Sequence, residues 1–124
     1  MYKILIAEDD DMNKLLLRDI LTYHGYSVIE ASDGEECLKL AKSIKPDLIF
    51  MDIQMPKIDG MTVLRMLKDD SLTKDVIIIA ATAFAMKGDR ERMLSAGFDD
   101  YISKPIDTKQ IPVLIRKYLG ANQE

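Results

Sequence analysis

The chain has 124 residues, a length that fits one domain with a core able to stand without disulfide or metal staples. Its net charge of −4, the lack of tryptophan and the lack of any basic cluster argue against direct nucleic-acid binding. No apolar run approaches the ~20 residues of a membrane span, and the short apolar run at the N-terminus ends in acids, unlike a signal peptide; no membrane association and a cytoplasmic location are expected.

Apolar, often β-branched runs occur at KILIA (3–7), YSVIE (26–30), DLIFM (47–51), VIIIA (76–80) and YIS (101–103). Nearly continuous apolar runs of this length predict strands buried on both faces. Segments with helical spacing lie between them. In the first, Met12, Leu16 and Ile20 recur beside Leu17, Leu21 and His24, and Gly25 supplies the stop. In the second, Ser32 and Glu35 have capping-box spacing, Cys37, Ala41 and Ile44 form the inner stripe, and Pro46 ends it. Cys37 is the single cysteine, and a buried, reduced thiol is expected there. The third segment runs over residues 60–68, with Asp59 and Gly60 at its start. The fourth runs over 86–96, with Met86 and Met93 as candidates to face a partner. The fifth runs over 108–119, where Pro112 implies either a start near Gln110 or a distorted first turn.

Five strands alternating with five helices predict an α/β fold, a doubly wound parallel sheet of flavodoxin-like (βα)5 type with strand order 2-1-3-4-5. Ligands in such sheets bind beyond the carboxyl ends of the strands, where the strand order reverses. The residues at those ends are Glu8, Asp9 and Asp10 after the first strand, Asp52 after the third, Thr82 after the fourth and Lys104 after the fifth. Asp10 is expected to cap the first helix and Asp11 to be solvated. Converging carboxylates repel one another unless something offsets their charge. Mg2+ does so, using one or two carboxylates and keeping several waters. Together with a lysine and a hydroxyl, such a cluster suits a phosphoryl group.

In order and spacing, these residues resemble the receiver domains of two-component response regulators. The resemblance rests on Glu8–Asp9, on Asp52 ahead of MP and DG, on Thr82 followed by Ala83, on Tyr101 and on Lys104–Pro105. It covers the whole chain and is nearest to stand-alone receivers of the DivK and CheY type, so residues 1–124 are expected to form one receiver domain with no output domain. The resemblance implies that Asp52 accepts a phosphoryl group from a phosphohistidine on a histidine kinase or histidine phosphotransfer protein. It further implies Mg2+, with Mn2+ as the alternative, held by Asp9, by Asp52, by the backbone carbonyl of Gln54 and by Glu8 through water. Lys104 would pair with Asp52, Thr82 would bond the phosphoryl group, and Tyr101 would turn inward as Thr82 moves. The Lys104–Pro105 bond would be cis. The surface of the fourth helix, fifth strand and fifth helix would then signal to a separate protein, with Phe84, Ala85 and Met86 as an apolar edge. Gln54 and Phe84 occupy positions that set phosphoryl lifetime in that family. The chain would be a signalling domain and no enzyme beyond self-phosphorylation and slow self-hydrolysis, acting as a monomer or weak dimer.

Two other readings of the acids fit less well. A haloacid-dehalogenase-like phosphatase places an acid two residues after its nucleophile, where this chain has Gln54. An FMN-binding flavodoxin needs a phosphate-cradling loop after its first strand, where this chain has four acids.

Overall fold

Five apolar runs become five parallel strands: β1 (Lys3–Ala7), β2 (Ser27–Ala31), β3 (Leu48–Asp52), β4 (Ile77–Thr82) and β5 (Asp100–Ser103). The helices are α1 (Asp11–Tyr23), α2 (Gly34–Ile44), α3 (Gly60–Lys68), α4 (Asp89–Ala96) and α5 (Gln110–Leu119). The structure, a computed structural model, describes residues 2–83 and 88–120. The strand order is 2-1-3-4-5, as the sequence predicts.

Alternation along each strand sorts the apolar side chains into two cores. Leu5, Ala7, Ile49, Met51, Ile78 and Ala80 face α2, α3 and α4, packing with Cys37, Ala41, Val63, Leu64, Leu67 and Met93. Ile4, Ile6, Leu48, Phe50, Ile79 and Ala81 point the other way, towards Leu17, Leu21, Ile111, Leu114 and Ile115 of α1 and α5. Both faces of the central strands are thus covered, which is why their sequences run apolar without a break.

Several boundaries and faces differ from the sequence reading. The inward stripe of α1 is Leu17 and Leu21, while Met12 at the helix start is 75% exposed. The cap of α2 lies one residue further on than expected. Asp33 accepts from the Glu36 backbone N–H at 2.8 Å, and Glu36 in turn accepts from the Ser32 N–H at 2.8 Å. Met93 is 2% exposed and belongs to the core, so it faces no partner. Helix α5 begins at Gln110. Pro112 then lies in the first turn, where the backbone N–H it lacks would have no helical partner anyway. Phe84, Ala85 and Met86 lie outside the described residues. Cys37 is fully buried, and burial pushes its thiol pKa up to about 12.

The segment between β3 and α3 is held from both sides by glycines. A Cβ on Gly60 would lie 2.5 Å from the Asp52 carbonyl oxygen and 2.8 Å from the Ile53 Cα. A Cβ on Gly34 would strike the Ile58 carbonyl oxygen. Between these contacts Ile58 N donates to Pro56 O at 2.8 Å, closing a three-residue turn. Lys57 at its centre has φ 69°, a sparsely populated region for a residue with a side chain.

At the other edge, Asp100 ties β5 to its flanking helices. Its carboxylate accepts from the Tyr101 N–H at 2.8 Å and the Tyr118 hydroxyl at 2.8 Å, with Lys117 Nζ at 3.4 Å and Arg90 at 3.9 Å. Burial alone would raise the Asp100 pKa, but the bonds from Tyr118, the Tyr101 N–H and Lys117 outweigh it and hold the carboxyl below its usual range.

Two outcomes follow from these contacts. Gly60→Ala must displace backbone, and we expect a loss of about 1–3 kcal/mol in urea unfolding. Because the folded pKa of Asp100 is depressed, its contribution to stability is present above the unfolded pKa and lost as pH falls through the folded one. Tyr118→Phe removes a donor and raises that folded pKa, so acid unfolding followed by circular dichroism should set in at higher pH.

Candidate functional site

Strand register brings the chemistry together. Ala7 pairs with Met51 across β1 and β3, Asp52 with Ala81 across β3 and β4, and Thr82 with Ser103 across β4 and β5. The residues just beyond these pairs emerge side by side at the carboxyl edge of the sheet. Lys104 N donates to Thr82 O at 2.8 Å, which continues the ladder to the cis Lys104–Pro105 bond. Gly60 N donates to Ile53 O at 2.9 Å, and Gln54 N to Asp52 Oδ1 at 3.1 Å, fixing the turn after β3. The result is an open cleft of about 590 Å³ lined by Glu8, Asp9, Asp10, Asn13, Asp52, Gln54, Ala83 and Lys104.

Three carboxylates meet there. Oxygens of Glu8, Asp9 and Asp52 lie within 4.8 Å of one another, with Asp9 exposed and the other two buried. Lys104 holds the buried pair together. Its Nζ is 2.6 Å from Glu8 Oε1 and 3.2 Å from Asp52 Oδ2, and its side chain is only 15% exposed. The link to Asp52 matches the sequence reading, while the shorter contact with Glu8 was not expected. Glu8 Oε2 accepts from the Asp10 N–H at 3.2 Å, and the close partner of buried Oε1 is the Lys104 ammonium. Burial pushes the Glu8 pKa up to about 7, with the nearby Asp52 charge acting in the same direction and Lys104 opposing. Burial also works against the charge on Lys104, but Glu8 and Asp52 overcome it and raise the lysine pKa. Three carboxylates converging beside a single ammonium suit a hard divalent cation, so the residues present fit Mg2+.

Asp10 caps α1, accepting from the Asn13 N–H at 3.0 Å, and so serves the helix as expected. Asp11 is exposed, as expected. Thr82 is wholly buried at the end of β4, and Ala83 lines the cleft in its place. Tyr101 is half-buried and packs against the α2–α3–α4 core. Burial, then the Asp89 charge, raises its hydroxyl pKa. Asn13 is a cleft residue that strand-end reasoning missed, because it enters from the first turn of a helix. Its spacing of four from Asp9 was the available signal.

Removing the ammonium should leave two buried acids facing each other. Lys104→Met in the presence of chelator is expected to lose about 3 kcal/mol or more in urea unfolding at neutral pH. The Glu8→Gln, Lys104→Met double variant should recover part of that loss, which a double-mutant cycle measures.

Comparison with known proteins gives the same picture. Residues 4–116 match the family described as the response regulator receiver domain. The polar-differentiation response regulator DivK of Brucella anthropi is 45% identical over 117 residues, covering 94% of this chain and 95% of that protein. The receiver domain of the sensor histidine kinase PA1611 from Pseudomonas aeruginosa PAO1, solved with a magnesium ion coordinated in its active site cleft, is 33% identical. It superposes with a TM-score of 0.88, covering 96% of this chain and 98% of that one. The receiver domain of a signal transduction histidine kinase from Syntrophus aciditrophicus is 29% identical, with a TM-score of 0.87 and coverage of 100% and 94%. With its fold, its family match and a relative of nearly equal length all agreeing, the chain belongs to the response regulator receiver domains of two-component signalling.

Proposed function

We propose that this receiver acts in a phosphorelay by accepting a phosphoryl group on Asp52. The observation that carries the reading is a buried Asp52 carboxylate, ion-paired to Lys104, opening onto a cleft it shares with Glu8 and Asp9. In the transfer, an Asp52 oxygen forms a bond to phosphorus. The phosphorus–nitrogen bond of a donor phosphohistidine breaks, and the imidazole leaves with the electron pair. Lys104 stays with the reacting carboxylate and pairs with a phosphoryl oxygen, and the Thr82 hydroxyl supplies a further bond. Asp9, Asp52 and the Gln54 carbonyl would hold Mg2+, with Glu8 behind them. When bound, the ion offsets the negative charge of the transferring oxygens. A magnesium ion in the active site cleft of the PA1611 receiver supports the choice of metal. The donor is a histidine kinase or histidine phosphotransfer protein, and loss of the group by slow self-hydrolysis ends the signal.

The modified aspartate carries about −1.5 to −2 charges and three acceptor oxygens. Charge-assisted bonds to Lys104 and Thr82 contribute roughly 1.5–3 kcal/mol each. Inverting a two-state population from 1:99 to 99:1 needs about 5.5 kcal/mol. Two such bonds barely reach that figure, so phosphorylation shifts a population between states. Tyr101 lies on the path of that shift. Asp100 beside it bonds to α5 and approaches α4, which supports the α4–β5–α5 surface as the output.

With magnesium and an acyl phosphate donor, mass spectrometry should find one phosphoryl adduct on the chain and none on Asp52→Asn. An unmodified wild type, or an equal adduct on the variant, contradicts the assignment. Lys104→Met is expected to retain magnesium binding yet lose most of the phosphorylation-induced change in the amide spectrum of α4–β5–α5.

A further inference from the structure

We propose that Asn13 is a positioning residue of this site, whose side-chain carbonyl accepts a hydrogen bond from a water of the bound cation's hydration shell. This inference rests on the metal-dependent reading above. Asn13 is the third residue of α1, and helical side chains lean back towards the N-terminus of their helix. It lines the cleft together with Glu8, Asp9, Asp52 and Lys104. Its backbone N–H is held by the Asp10 carboxylate at 3.0 Å, which fixes where the side chain starts. The carboxamide itself makes no hydrogen bond to any of the described residues, although the residue is half-buried.

Several of the carboxylate oxygens around it already have partners. Glu8 Oε2 takes the Asp10 N–H, Glu8 Oε1 contacts Lys104, and Asp10 Oδ1 takes the Asn13 N–H. Asp9 and Asp52 are the proposed direct ligands. Mg2+ keeps several waters when only one or two carboxylates bind it, and those waters are strong donors that need acceptors. On the α1 rim, the Asn13 carbonyl is the uncharged side-chain acceptor left to receive one. Partners of this outer kind typically change metal affinity 10–100-fold.

Magnesium titrations of the full chain by isothermal titration calorimetry test the inference, with wild type, Asn13→Leu, Asn13→Asp and Met12→Ala compared. Thermal unfolding in chelator checks that each variant is folded. Asn13→Leu keeps the shape and loses the acceptor, so its Kd should rise about 10-fold or more. Asn13→Asp keeps an acceptor and should bind at least as tightly as wild type. Met12→Ala alters the neighbouring exposed residue and should bind like wild type. A Leu variant within twofold of wild type overturns the proposal and leaves the functional reading intact, as does an Asp variant weakened as much as the Leu one. No magnesium binding by wild type overturns both.

Discussion

A single ammonium group, that of Lys104, lies between two buried carboxylates, and the whole site is organised around that contact. Glu8 follows β1, Asp52 ends β3 and Lys104 follows β5, so the ion triad ties three separate strands at the same edge. Burying two acids at this separation without a cation would be strongly unfavourable. Lys104 offsets only part of that cost, because one ammonium stands beside three converging carboxylates. The site is held in place while remaining short of positive charge, and that shortage is what fits it to a divalent ion.

Much of this was legible in the chain. Continuous apolar runs such as LIFM and IIIA arise because alternate residues enter two different cores, and no exposed strand face would permit them. The strand order then predicts which loops share an edge, and the acids and the lysine stand where that reasoning puts them, while Thr82 is buried at the end of β4 and Ala83 lines the cleft. The cap at Asp10 was equally readable, because a carboxylate three residues before an N–H is a local pattern.

The missed features depend on rotation or on distance. Met12 fits the four-residue spacing of Leu16 and Ile20, yet in the helix's first turn it projects past the core into solvent. Ser32 and Asp33 are both competent caps, and the contact between Gly34 and Ile58 helps decide which residue starts α2. Met93 faces inward because Phe98 and Leu64 close the core around it. The Glu8–Lys104 contact joins residues almost a whole chain apart and outcompetes the Asp52 pairing in distance, a ranking that only three-dimensional packing sets.

Surface loops ordinarily tolerate added or deleted residues. The segment from Met55 to Asp59 is an exception in kind, wedged between two glycine backbones and closed by a turn that forces Lys57 to positive φ. One residue more or fewer would shift either the start of α2 or the peptide of Asp52. In this chain that loop works as a ruler, and its length is as much a part of the chemistry as the carboxylate it follows.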